Sequence, residues 1–315
     1  LAFMKKIFAP LLFFILVASC NKTENTIAPP IVETPSFRGI LNSEAPFSGD
    51  LLFFKDVPYG SGERNKLDLI LPKGKEIQGM VIFFHGGSFQ FGKKEDLYGD
   101  ELNSLVTVMI NSNIAIASVA YSFITDSNSQ GIFSSLEDGS DAIEFIRQNS
   151  ASLNIPSDKI VLAGVSAGAG IALWNGLQEE TNDEVEGIVA LYTQSTYDLY
   201  KWNDLFSGFD LDSIRATDPE IEELFSLFYG GEYNTEKASQ LDFSEYIDAN
   251  DPSLYLYNPT YEDDVFEADT LNLDVLFHSF KHADVLRAKA TEVGLDFSGA
   301  YKEFPQYFIT RILLD

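Results

Sequence analysis

The stretch Ile160–Gly170, IVLAGVSAGAG, restricts what this 315-residue chain can fold into more than any other. An apolar run of strand length meets Gly164-Val165-Ser166-Ala167-Gly168, and a helical pattern begins at once. A strand that turns directly into a helix is the joint of a βαβ unit, and such units build parallel sheets. Glycine stands at both ends of the turn because a side chain there would collide with neighbouring backbone. In this context G-x-S-x-G reads as a nucleophile elbow. It presents the Ser166 hydroxyl at the end of the sheet, beside a helix amino terminus that favours developing negative charge.

The flanking sequence agrees with an α/β fold, a mostly parallel central sheet flanked by helices. Leu51–Lys55 and the alternating KLDLIL of Lys66–Leu71 predict paired strands. Met80–Phe84 and Ile114–Tyr121 predict strands buried on both faces, and Lys159–Ala163 and Val185–Tyr192 predict further strands. Apolar residues at 142, 143, 145 and 146 predict an amphipathic helix over Asp138–Asn149, and a second runs from Ala167 to Leu177. Residues 203–270 then hold 18 acidic residues against Arg215 and Lys237, with many Tyr and Phe and no evident strand alternation. They read either as a helical insertion or cap, over about 199–270, or as a solvated acidic surface. The sheet is expected to resume at Leu273–Ser279 (LDVLFHS), followed by a helix over Ala283–Val293, a last strand near Asp296–Lys302 and a short apolar tail.

The amino terminus reads as an export signal. After Leu1-Ala2-Phe3, Met4 is followed by Lys5 and Lys6 and an apolar stretch from Ile7 to Val17, too short for a comfortable membrane span. Val17-Ala18-Ser19-Cys20 resembles a bacterial lipobox, and Cys20 is the only cysteine. The expected organisation is a signal peptide over 1–19, a lipidated Cys20 heading a tether to 46 that contains Pro29, Pro30, Pro35 and Pro46, and a globular domain over 47–315. The protein would then be exported and lipid-anchored to a bacterial membrane.

Net charge is −27, and loss of the two lysines with residues 1–19 makes it −29. Such a surface repels nucleic acid, so no nucleic-acid partner is expected. One cysteine excludes an intramolecular disulfide, and three histidines leave little for a transition-metal site. No cofactor or metal is expected, although 48 acidic residues leave a carboxylate calcium site open.

A second motif, His85-Gly86-Gly87-Ser88-Phe89, follows the strand ending at Phe84. Gly-Gly is ordinary turn chemistry, but at this place it also suits an oxyanion hole, where backbone must approach a substrate oxygen closely. The two motifs lie in the expected order, each at a strand end. With VPYGSGERNKLDLILP (57–72), VIFFHGGSFQFG (81–92), SVAYS (118–122), the helix carrying Asp138 and KIVLAGVSAGAGIAL (159–173), residues 51–195 resemble the carboxylesterase and hormone-sensitive-lipase-like α/β-hydrolases, including acetyl and feruloyl esterases of polysaccharides. The resemblance implies Ser166 as nucleophile, Gly86, Gly87 and Ala167 as donors of oxyanion amides, and His85 as a shaper of that loop.

The resemblance also implies a histidine after the last strand, and none follows there. His278, inside the apolar run LDVLFHS, reads as a packed core histidine. His282, just beyond that run, is the remaining candidate base, set against a helix-start residue on a solvated surface. Asp198 follows the strand after the elbow and is the candidate acid. Asp284 is near in sequence, and Asp138 reads as a buttress of its helix. Three explanations stand: a rearranged triad using His282, a hydrolase fold retained for binding, or a sequence lacking a His-bearing segment near Pro305. The expected function is a serine carboxyl-ester hydrolase acting outside the cytoplasm on small-molecule or glycan-linked esters. A non-enzymatic binding lipoprotein and a serine peptidase are the alternatives.

Overall fold

A computed structural model describes residues 41–42, 44–179, 184–260 and 272–315. The expected signal peptide, Cys20 and nearly all of the tether lie outside the described residues. Strands β1 (Leu41–Asn42), β2 (Leu51–Pro58), β3 (Lys66–Pro72), β4 (Gly79–Phe84), β5 (Ile114–Val119), β6 (Ile160–Val165), β7 (Val185–Leu191), β8 (Ser253–Tyr257) and β9 (Phe297–Ser298) form one sheet in the order β1-β2-β3-β5-β4-β6-β7-β8-β9. The β1-β2, β2-β3 and β3-β5 pairs are antiparallel, and every pair from β5-β4 to β8-β9 is parallel.

Alternation along β4 explains the layering. Met80, Ile82 and Phe84 face one core and Val81 and Phe83 the other. The first core is closed by α2 (Ile132–Leu153), α3 (Ala167–Gly176) and α10 (Phe280–Val293), through residues such as Ile143, Ile171 and Leu286. The second is closed by α1 (Asp100–Asn111) and α11 (Pro305–Leu314), through Leu105, Met109 and Phe308. A sheet buried on both faces needs apolar residues at both parities, so its strands lack alternation.

Between β7 and β8 lie short helices: α4 (Trp202–Leu205), α5 (Leu211–Thr217), α6 (Pro219–Phe228), α7 (Thr235–Ser239) and α8 (Phe243–Tyr246). Aspartate or asparagine caps four of them: Asp210, Asp218, Asn234 and Asp242 each accept a hydrogen bond from a first-turn N–H. Part of the acidity of this stretch is therefore helix-capping chemistry.

Three expectations are corrected. Ser253–Tyr257, SLYLY, falls inside the stretch read as free of strands, yet it is β8 and pairs in parallel with β7. Its interior residues are buried, so it reads as a short apolar run surrounded by acid. The final strand is only Phe297–Ser298, and the apolar tail is the helix α11, started by Pro305 at its first turn. Most consequentially, LDVLFHS is not a strand. Leu273–His278 is a one-and-a-half-turn helix, α9, with the Asn272 side chain accepting from the N–H groups of Asp274 and Val275.

Candidate active site

Ser166 sits at the turn between β6 and α3 with φ 53° and ψ −117°, a conformation sparsely populated by residues with a side chain. The surroundings enforce it. Ser166 N–H donates to Leu191 O at 2.8 Å, which ties the elbow to the end of β7. A Cβ on Gly164 would lie 2.1 Å from Gly168 O, and one on Gly168 would lie 2.1 Å from Phe84 O. Both positions therefore need glycine for the reason that the motif implies, collision with backbone that cannot move aside.

The Ser166 hydroxyl lies 2.9 Å from His278 Nε2, and His278 Nδ1 lies 2.8 Å from Asp274 Oδ1. His278 is thus not a packed core histidine. Its side chain is about one-quarter exposed and that of Asp274 about two-thirds. Both project from α9, and their four-residue spacing puts them on one helix face. A carboxylate on Nδ1 holds the proton there and leaves Nε2 free to accept from serine. A single short helix thereby presents both groups after β8. The Tyr192 ring, at φ 56°, meets the His278 ring edge-on at 5.8 Å.

The residues singled out from sequence fall as follows. His282 is wholly buried, and its ring nitrogens bond to Ser195 and Leu276. Its Nδ1 accepts from Ser195 N–H at 3.2 Å, so its Nε2 carries the proton and donates to Leu276 O at 2.9 Å. Burial pushes its pKa down to about 4, with the Leu276 hydrogen bond partly opposing. Asp198 is occupied elsewhere, accepting from Tyr200 N–H at 3.2 Å and from the Tyr233 hydroxyl at 3.0 Å. Asp284 pairs with Arg287 at 3.0 Å. Asp138 accepts from Ser122 N–H at 2.6 Å and so pins the loop after β5 to α2.

The His85–Phe89 turn packs onto the elbow. A Cβ on Gly86 would lie 3.0 Å from Val165 O and 3.6 Å from Ser166 Cβ. Gly87 has φ +121°, and a Cβ there would overlap Phe91 O at 2.0 Å. Ser88 and Phe89 also hold positive φ. Ala167 is the first residue of α3, where the helix leaves its N–H without an internal acceptor. His85 is wholly buried, stacked on Tyr121 at 4.3 Å, with the Tyr121 hydroxyl donating to His85 O at 2.7 Å. Burial pushes its pKa down to about 4.

A cavity of about 90 Å³ adjoins Ser166 and Ala167, walled by Phe89, Tyr197, Trp202, Phe225, Phe228 and Phe277. A separate cleft of about 1020 Å³ reaches Gly86 and Val165, and is lined by Tyr192, Tyr257, Phe304 and Tyr307 together with Asp96 and Glu101. Among the described residues no group of three or more His, Cys, Asp or Glu side chains is placed to hold a metal ion.

Asp274 and His278 escape the sequence reading because LDVLFHS is apolar enough to pass for a buried strand. Two signals point to helix: Asn272 at a capping position, and Asp274 and His278 four residues apart.

Residues 67–273 match the BD-FAE family model. The chain is 30% identical over 187 residues to the isoprenylcysteine alpha-carbonyl methylesterase ICME of Arabidopsis thaliana, covering 55% of this chain and 42% of that protein. It is 38% identical over 68 residues to the kynurenine formamidase of Danio rerio, covering 21% of this chain and 22% of that protein. The chain thus spans less than half the length of these curated relatives. Among solved structures, a truncated carbohydrate esterase from gut microbiota superposes with a TM-score of 0.57 at 16% identity, covering 78% of this chain and 86% of that one. A thermophilic esterase of Thermogutta terrifontis bound to propionate superposes with a TM-score of 0.53 at 15% identity, covering 77% of this chain and 80% of that one. At such identities the superpositions show the fold, that of the α/β-hydrolases.

Proposed function

Because the chain belongs to the BD-FAE family, we propose that it is a serine carboxyl-ester hydrolase whose triad is Ser166, His278 and Asp274. The observation that carries this reading is the 2.9 Å contact between Ser166 Oγ and His278 Nε2, with Asp274 on the far ring nitrogen. His278 Nε2 takes the hydroxyl proton as Oγ bonds to the ester carbonyl carbon. The oxyanion of the tetrahedral intermediate lies toward the Ala167, Gly86 and Gly87 amides and the amino terminus of α3. Collapse breaks the bond to the alcohol oxygen, which takes the proton from His278. Water then enters and gives a proton to His278 as its oxygen bonds to the acyl carbon; collapse breaks the bond from that carbon to Ser166 Oγ, which takes the proton back from His278, and the acid leaves.

The apolar cavity beside Ser166 suits the acyl group, several times larger than one water requires. The aromatic cleft suits a sugar-bearing alcohol, and a carbohydrate esterase among the structural neighbours supports esters of glycans as substrates. We further propose that the enzyme works outside the cytoplasm, held to a membrane through lipid on Cys20. The binding-protein alternative was motivated by a missing base, and His278 removes that motive.

The test is hydrolysis of p-nitrophenyl acetate and butyrate by the wild type, Ser166→Ala and His278→Ala. Turnover by the wild type and loss of at least about 10³-fold in both variants is expected. A folded, inert wild type, or undiminished turnover in His278→Ala, overturns the reading.

A further inference from the structure

A helix of six residues does not hold itself together, and it leaves its last carbonyls without internal partners. Those of α9 are nevertheless taken up. Val275 O accepts from Ser279 N–H at 2.9 Å. Leu276 O accepts from His282 Nε2 at 2.9 Å, and Phe277 O from Gln194 Nε2 at 2.6 Å. His278 O and Ser279 O both accept from Asn258 Nδ2 at 3.1 Å.

The three side chains are buried and are themselves fixed. Asn258 Nδ2 also donates to Thr193 O at 2.7 Å, and its Oδ1 accepts from Thr193 N–H at 3.1 Å. Gln194 Oε1 accepts from the Tyr197 hydroxyl at 3.1 Å. His282 accepts from Ser195 N–H and lies against the rings of Trp202 and Phe206, at 5.0 and 5.3 Å. They come from three places: the segment after β7, the end of β8, and α10.

We infer that His282, Gln194 and Asn258 are positioning residues: a cradle that grips the carbonyl end of α9 and thereby holds the His278 ring at hydrogen-bond distance from Ser166. This rests on the triad proposed above. The neutral His282 suits the task, because its single Nε2–H points at Leu276 O while Nδ1 faces a backbone N–H. A protonated ring would turn that second contact into donor against donor. A loosened helix carries acid and base together, so their mutual contact survives while their register on Ser166 is lost. A misplacement of about 1 Å typically costs on the order of 100-fold in rate.

The test compares Asn258→Asp, which keeps shape but removes the donor, with His282→Phe and His282→Gln, the last retaining a donor toward Leu276 O. All are assayed on p-nitrophenyl butyrate well below their melting temperatures. Asn258→Asp and His282→Phe are expected to lose roughly 10- to 100-fold in kcat with KM within about threefold, and His282→Gln to recover part of the loss. Wild-type kcat in folded Asn258→Asp and His282→Phe overturns the inference, as does a His282→Gln no better than His282→Phe. Histidine-selective ¹⁵N NMR separates this from failure of the esterase reading, because only three histidines must be assigned. In the wild type, His282 is expected as the neutral Nε2–H form at pH 6. The His278 signal should broaden or shift in Asn258→Asp whether or not any ester is hydrolysed. An unchanged His278 signal overturns the cradle; an inert wild type with the expected spectra overturns the esterase reading alone.

Discussion

At position 166, glycine should make the folded protein more stable than alanine does, the reverse of the ordinary order. The Ser166 backbone, at φ 53° and ψ −117°, is held by glycine contacts on both sides and by the hydrogen bond to Leu191. A side chain in such a region costs about 1–3 kcal/mol, and alanine inherits that cost while glycine does not. Glycine loses about 0.5–1 kcal/mol through the greater freedom of the unfolded chain. Both variants lose the Ser166–His278 hydrogen bond, so it cancels between them. The remainder favours Ser166→Gly over Ser166→Ala by up to about 2.5 kcal/mol, or up to roughly 10 °C in Tm. Urea and thermal unfolding of the two variants, followed by circular dichroism, measure it. Neither variant should turn over esters, so the comparison isolates the strain stored at the nucleophile. A glycine variant less stable than the alanine variant would refute the reasoning, since it would mean that the elbow is unstrained.

Three other outcomes follow from the same geometry. Asp274→Asn should lower kcat by about 10- to 100-fold, less than for a buried triad acid, because water screens the two-thirds exposed Asp274 carboxylate; steady-state kinetics on a p-nitrophenyl ester check it. Gly164→Ala and Gly168→Ala each drive a methyl group to 2.1 Å from a backbone oxygen, so each should cost more than about 4 kcal/mol and give insoluble or unfolded protein, read by soluble yield and circular dichroism. His85 and His282 are both pushed down to about 4 by burial. As pH falls below about 6.5 the unfolded chain binds protons at these sites while the folded chain does not, so stability present above pH 6.5 is lost toward pH 4. The loss by pH 5 should reach about 2 kcal/mol for each histidine, and His282→Gln should flatten the urea-unfolding profile between pH 7 and 5 by its share.

The parts of the site that announce themselves in the sequence are those fixed by sterics over a few residues. Gly164 and Gly168 cannot be anything larger, and the strand before and helix after Ser166 are long and strongly patterned. The His85-Gly86-Gly87 turn is visible for the same reason. Asp274 and His278 depend instead on whether one seven-residue apolar run is a strand or a helix, and periodicity over so short a run does not decide it. The local cap by Asn272 at the amino end favours helix, and hydrogen bonds from His282, Gln194 and Asn258 at the carboxyl end, made only in the folded chain, decide it. His282 attracted attention as an unassigned histidine near a strand end. Its partners, Ser195 and Leu276, are 87 and 6 residues away, and nothing local to it in the sequence shows that its ring is buried. β8 was hidden in another way, a five-residue run inside a segment whose net acidity reads as surface.

The most direct test of the central assignment is inactivation by an alkyl fluorophosphonate, with the adduct located by mass spectrometry of the digested protein. A single adduct on Ser166 is expected, formed rapidly by the wild type, at a greatly reduced rate by His278→Ala, and at a rate partly retained by His282→Gln. No adduct on folded wild-type protein, or labelling of Ser166 at an undiminished rate in His278→Ala, would contradict the triad.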